Sequence, residues 1–132
     1  MVNKIRLKEE FCNLVSIDSV SFGEREMAEV LKNKLLELGF DVIEDQAGEI
    51  YQGNAGNIFA SLKGDLPGDP ILLSSHMDTV NQGLHKKAIV HEDGLITSDG
   101  TTVLGADDLS GIVSILEAIR TIIELEIPHR SI

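Results

Sequence analysis

The strongest pattern in the chain is a broad apolar stripe in residues 109–126. Apolar residues recur there at helical spacing along one face and widen it on the side: Ile112, Ile115, Leu116, Ile119, Ile122 and Ile123. An apolar face this broad is typical of a helix that packs on a sheet. Pro128 ends the helix, because proline cannot continue it. The chain must therefore supply strands for this helix to cover.

Two further helices are predicted before it. Apolar residues at helical spacing predict the first over residues 3–17. For the second, Ser21 is the predicted N-cap, and Glu24 stands at the capping-box position three residues later. Gly39 supplies the left-handed stop of the second helix.

Strand patterns lie between the second and third helices. Residues 40–43 and 57–62 have strand character, and the second of these segments alternates as a half-buried strand does. The continuous apolar run in residues 71–73 is typical of a central strand covered on both faces. Residues 79–102 form a loop-and-hairpin region with turn signals at Asp93-Gly94 and Asp99-Gly100. These patterns predict an α/β fold, a mixed sheet with flanking helices.

Composition excludes several classes of function. The chain has 132 residues, which suits one domain, and a net charge of −11, which disfavours nucleic acid or an anionic membrane as a partner. Cys12 is the only cysteine, so a thiolate zinc cluster is excluded. Neither a signal peptide nor an apolar run of membrane-spanning length is present. We therefore expect a soluble, cytoplasmic protein.

His76 is the first candidate for chemistry. It follows the apolar run of residues 71–73, and ligands of open α/β sheets bind beyond the carboxyl ends of strands. Its imidazole is a possible zinc ligand, and Asp78 could bind the other ring nitrogen and fix the tautomer. A His-x-Asp sequence alone is more typical of an ordinary loop histidine beside a turn-forming aspartate.

The second candidate is the pair Asp107 and Asp108, flanked by Gly105 and Gly111. Aspartates at a helix start often serve only as caps that oppose the helix dipole. One aspartate suffices for that purpose, so the other is free to bind a metal. An imidazole and a carboxylate together suit zinc, and a carboxylate can bridge two metals.

These motifs resemble those of a known enzyme family. Ser-His-Met-Asp-Thr-Val at 75–80 and Thr-Ser-Asp-Gly-Thr-Thr-Val-Leu-Gly-Ala-Asp-Asp at 97–108 are similar to segments of the family that contains peptidase T, glutamate carboxypeptidase and aminoacylase. The segments 21–24, 37–39 and 56–60 extend the similarity over nearly the whole chain. Peptidase T is the most similar branch. Leu109 is a departure, because the family commonly has lysine there.

The resemblance implies a role for each matching residue. His76 would bind one zinc, Asp107 would bridge two zinc ions, and Asp78 would orient the site. It also implies a cis peptide between Asp107 and Asp108. The implied activity is zinc-dependent aminopeptidase action on short peptides. Alternatives are hydrolysis of N-acyl amino acids or of C-terminal glutamate by the same family, and a non-catalytic α/β module.

The resemblance also implies parts that these 132 residues lack. The family's general-base glutamate, its remaining metal ligands and its dimerisation domain have no counterpart here, because only six residues follow Glu126. We therefore expect residues 1–132 to be the N-terminal part of a catalytic domain, inactive alone and weak in metal binding. We expect an exposed sheet edge to promote self-association. His85, His91 and His129 are expected at the surface.

Overall fold

The computed structural model describes residues 1–132 and contains four helices and four short strands. In chain order they are α1 (Lys4–Val15), α2 (Arg25–Glu37), β1 (Asp41–Glu44), α3 (Ala47–Ile50), β2 (Ile58–Ser61), β3 (Ala88–Val90), β4 (Ile96–Ser98) and α4 (Ala106–Glu124). This order confirms the predicted α/β class and the positions of the three main helices. None of the helices combines the length and the apolar character needed to cross a membrane.

The core is built from the apolar faces of the three long helices. Its buried side chains are Phe11, Leu14, Val15, Met27, Leu31, Leu109, Ile112, Val113 and Leu116. Leu109, at the position where the resembling family commonly carries lysine, is fully buried. The apolar residue therefore anchors the first turn of α4 in the core.

An ion pair joins α1 to α4 beside this core. The Glu117 carboxylate is almost completely buried and accepts hydrogen bonds from the Arg6 Nε (2.7 Å) and from the Asn3 N–H (2.6 Å). The Asn3 side chain in turn caps α1 by accepting from the N–H groups of Ile5 and Arg6. One buried carboxylate thus fixes both the start of α1 and its contact with α4.

The predicted cap of α2 is wrong. The helix begins at Arg25, its N-cap Glu24 makes no side-chain capping bond, and the Glu24 carboxylate accepts from the N–H of Phe22 instead. Ser21 lies too far from the helix to cap it, because Phe22 turns the chain with a φ of 71°. The predicted stop is confirmed, since Gly39 is left-handed with a φ of 86°.

The strands form two antiparallel pairs. β1 pairs with β2 so that Val42 opposes Ala60 and Ile43 opposes Phe59. β3 and β4 form the predicted hairpin, and Gly94 provides the left-handed residue of its turn. α2 packs on the β1–β2 pair, as an amphipathic helix on a sheet should.

Residues 71–73 differ from the prediction of a buried central strand. They lie outside the strands, and Leu72 is 90% exposed. The reason is that only Ile71 bonds a neighbouring backbone, whereas a strand requires a ladder of such bonds along its length. A cavity of about 630 Å³, the central groove, separates this segment from β2, and α2 and α4 form its floor.

Backbone groups face the central groove from β2. Leu62 and Ile132 exchange both N–H···O bonds (2.8 and 2.9 Å), so residues near 132 run antiparallel to β2 and enter the groove at one end. The Ile71 N–H binds the Ser131 carbonyl from the other side (2.8 Å). Because alternate residues of a strand point to the same side, Ile58 and Ala60 present their N–H and C=O groups to the groove.

Glu44 at the end of β1 ties the sheet to α2. Its carboxylate accepts from Arg25, from the Gly56 N–H (2.9 Å) and from the Lys32 Nζ (2.8 Å). The Arg25 guanidinium, the Gly56 N–H and the Lys32 ammonium lower the pKa of Glu44 from 4.5 to about 2. The charged form is therefore the one that the fold stabilises.

This ion pair predicts acid sensitivity. A carboxyl whose pKa is lowered by folding contributes stability fully above pH 4.5, and loses it as the pH falls toward about 2. Glu44→Gln should lower the free energy of unfolding at pH 7 by about 2 kcal/mol, since partial exposure of Arg25 weakens the pair. Urea denaturation at pH 7 and pH 3 measures this, and the two proteins should differ less at pH 3. Glu37→Gln is the exposed control, and an equal loss in both variants would contradict the assignment.

Candidate functional site

His76 follows residues 71–73, the segment that lies outside the strands, and it contacts carboxylates with both ring nitrogens. Its Nδ1 is 3.0 Å from Oδ1 of Asp78, and its Nε2 is 3.1 Å from Oδ1 of Asp107. The structure thus brings together the three residues proposed from the sequence. About half of the His76 side chain is exposed, so the site is open to solvent.

A backbone bridge positions the loop that carries His76 and Asp78. Val20 and Thr79 form an isolated parallel bridge, with the Thr79 N–H donating to Ser19 (2.7 Å) and the Ser21 N–H donating to Thr79 (3.1 Å). Ser21 also donates its hydroxyl to Oδ2 of Asp78 at 2.6 Å. The segment before α2 therefore contacts the site directly.

The two aspartates have separate roles. Asp107 and Asp108 have non-helical backbone angles, so regular helix begins only after Asp108. Oδ1 of Asp108 accepts the Gly111 N–H (3.2 Å), the bond of an N-cap, and its Oδ2 accepts the Ser75 hydroxyl (2.6 Å). The Asp107 side chain is 96% exposed and remains free to face His76. The expected cis peptide between the two residues is confirmed.

The charges of the site reinforce one another. Burial lowers the pKa of His76, but hydrogen bonds to Asp107 and Asp78 outweigh it and raise the pKa overall. The Ser21 hydroxyl, and then His76, lower the pKa of Asp78 despite its partial burial. The Ser75 hydroxyl and the Gly111 N–H lower the pKa of Asp108. Asp78 and Asp108 are therefore held as carboxylates.

The donor atoms of His76 and Asp107 fit a zinc ion in chemistry and in spacing. Two ligand atoms at a tetrahedral zinc with bonds of 2.0–2.1 Å lie about 3.3 Å apart. The separation of 3.1 Å between Nε2 of His76 and Oδ1 of Asp107 is close to this value. No group of three or more histidine, cysteine, aspartate or glutamate side chains is arranged to hold a metal. His76 and Asp107 are thus two candidate donors that fit zinc in spacing.

The other histidines lie away from this site. His85 is 89% exposed beside Asp18, and His91 is exposed and contacts the Thr97 hydroxyl. His129 is half-buried and contacts a backbone carbonyl of its neighbour, so its predicted surface position is only partly right. The sequence analysis missed Ser75 as a partner of Asp108. The only available signal was its position directly before His76.

Sequence comparison finds relatives over nearly the whole chain. The uncharacterized protein YqjE of Bacillus subtilis is 47% identical over 132 residues, which are 100% of this chain and 35% of that protein. Peptidase T of Vibrio parahaemolyticus is 30% identical over 169 aligned positions, covering 96% of this chain and 40% of that protein. No family model matches the chain.

Two solved structures show the same fold over nearly the whole chain. A tripeptidase from Staphylococcus aureus superposes with a TM-score of 0.95 and 41% identity, covering 99% of this chain and 35% of that one. Aminopeptidase PepT from Bacillus cereus gives a TM-score of 0.94 and 43% identity, covering 98% of this chain and 35% of that one. The chain thus spans 35–40% of the length of these relatives.

The separate roles of the two aspartates predict effects of different size on the free energy of unfolding. Asp108→Ala should lower the free energy of unfolding by about 1–2 kcal/mol, because it removes the cap of α4. Asp107→Ala should change it by less than about 0.5 kcal/mol, because the side chain is exposed. Thermal and urea unfolding of the metal-free variants measures both. Equal losses would show that Asp107 shares the capping role.

Proposed function

This chain is peptidase T-like in sequence and in fold, and on that premise we propose that its protein is a zinc-dependent aminopeptidase for short peptides. The observation that carries the proposal is the arrangement around His76. Asp78 holds Nδ1 of the ring at 3.0 Å, while Nε2 faces the exposed Asp107 carboxylate at 3.1 Å. The peptidase and tripeptidase relatives support the reaction class.

His76 and Asp107 would hold the metal in this proposal. Two zinc ions, when bound, would polarise the scissile carbonyl and lower the pKa of a water toward neutrality. His76 would hold zinc through Nε2, and Asp107 would hold it through its exposed carboxylate. Asp78 would keep the proton of the ring on Nδ1, so that Nε2 presents a lone pair.

The remaining chemistry requires groups outside these 132 residues. A general base must remove a proton from the attacking water, and the resemblance assigns this role to a glutamate that the sequence does not include. A catalytic zinc usually has three protein ligands, whereas two are available here. We therefore propose that residues 1–132 belong to a larger catalytic domain and bind metal weakly without hydrolysing peptides.

Two other functions remain as alternatives. The first is hydrolysis of N-acyl amino acids or of C-terminal glutamate. His76, Asp78 and Asp107 would hold the metal, and they do not determine which substrate binds. Turnover of a tripeptide against that of an acyl amino acid separates these possibilities in the longer protein. A non-catalytic module, in which Asp107 is only a surface residue, is the alternative outside the enzymes.

A zinc titration of the 132-residue chain tests the metal site. We expect weak zinc binding that falls at least about tenfold in His76→Ala and in Asp107→Ala, because each variant removes one of two ligands. Competition with a colourimetric zinc chelator measures the affinities. His85→Ala is the control, since this exposed histidine lies away from the site. Equal affinity in all four proteins would favour the non-catalytic module.

We also propose that the 132-residue chain self-associates through the central groove. Ile58 and Ala60 direct backbone groups into the groove, and Leu72 exposes 90% of its surface there. Open strand edges of this kind pair readily with a second chain. The occupant in this proposal is a strand from a second copy.

Sedimentation velocity over a range of concentrations tests the association. We expect dimers to increase with concentration, and Leu72→Lys to remain monomeric, because a lysine at an open strand edge opposes pairing. Leu125→Lys is the matched control, since Leu125 is 54% exposed at the end of α4 and does not line the groove. A monomer at every concentration would contradict the proposal.

A further inference from the structure

Ser21 occupies an unexpected place beside the proposed metal site. The sequence predicts a helix cap there, but α2 begins four residues later and receives no bond from Ser21. The hydroxyl instead donates to Oδ2 of Asp78 at 2.6 Å. Ser21 therefore does not cap α2. Its hydroxyl binds a charged carboxylate instead.

The Ser21 hydroxyl is the outermost member of a continuous series of contacts. It binds one oxygen of Asp78, the other Asp78 oxygen lies 3.0 Å from Nδ1 of His76, and Nε2 of His76 lies 3.1 Å from Asp107. A carboxylate held through both oxygens cannot rotate freely about its side-chain bond. The orientation of the imidazole therefore depends on a residue that lies 55 positions earlier in the chain.

The backbone around Ser21 keeps the hydroxyl in place. The Ser21 N–H donates to the Thr79 carbonyl, and the Thr79 N–H donates to the Ser19 carbonyl, so Asp78 directly precedes a residue that is held on both sides. Ser19 and Thr79 are both buried, at 0% and 4% exposure. The backbone pairing of these two segments thus fixes the Ser21 hydroxyl relative to the Asp78 carboxylate.

We infer that Ser21 is a positioning residue, which sets the imidazole of His76 for metal binding by fixing the carboxylate of Asp78. Its hydroxyl bonds to Asp78 and to neither of the proposed metal ligands, His76 and Asp107. Because this role presupposes a metal at His76, it rests on the proposed function. Its direct effect, the contact of the Asp78 carboxylate with Nδ1 of His76, is present without metal and can be observed separately.

Ser21→Ala in the 132-residue chain tests the inference by two measurements. Zinc affinity should fall about three- to tenfold, less than the 10–100-fold typical of a direct partner of a ligand. In the metal-free chain, long-range ¹H–¹⁵N NMR of the His76 ring should show a shift from the Nδ1–H toward the Nε2–H tautomer. Ser21→Thr retains a hydroxyl and should restore both properties.

Ser16→Ala is the matched control, because this exposed hydroxyl also makes one bond, to the Asn13 carbonyl (2.7 Å), away from the site. A purely structural role would lower stability in Ser21→Ala without changing the tautomer, and that result would overturn the inference. Unchanged tautomer and unchanged affinity would overturn it as well. If the wild-type chain binds no zinc while the tautomer shifts in Ser21→Ala, the proposed metal function fails and the positioning of His76 by Ser21 stands.

Discussion

The carboxylate of Asp108 is the contact on which the site depends. One oxygen accepts the Gly111 N–H and starts α4, and the other accepts the Ser75 hydroxyl and holds the segment that carries His76. These two bonds join a helix of the core to a segment that has no strand partner. Asp107 is free to face His76 because its neighbour already satisfies the helix start.

The core supports this arrangement from below. Leu109, the residue after Asp108, is fully buried, and the ion pair of Glu117 with Arg6 fixes α4 against α1. A charge-assisted contact to a buried carboxylate is strong, and it leaves little freedom for α4 to slide. The backbone at the first turn of α4 is therefore held in place, whereas the Asp107 side chain lies in solvent.

Sequence periodicity predicted the elements whose interactions are local. The three long helices, the strand segments β1 and β2 and the β3–β4 hairpin follow from spacing and turn residues, and the His76 and Asp107 pair follows from the family's motifs. The short helix α3 and the pairing of β1 with β2 were not predicted. The contact of Ser21 with Asp78 could not be predicted from the sequence, because the two residues lie 57 positions apart and nothing in the local pattern indicates the contact. The run at 71–73 has strand character, but its burial depends on a neighbouring backbone that no local pattern can supply.

Gly111 carries a consequence for recognising such sites among unfamiliar proteins. A side chain at this position would overlap the Asp108 carboxylate, so any other residue requires that carboxylate to move. An ordinary capping aspartate imposes no such restriction on the residue three places later. A glycine three residues after the second of two adjacent aspartates therefore indicates that the second carboxylate is bound to the backbone and the first is free. Two acidic residues that only begin a helix would not require a glycine there.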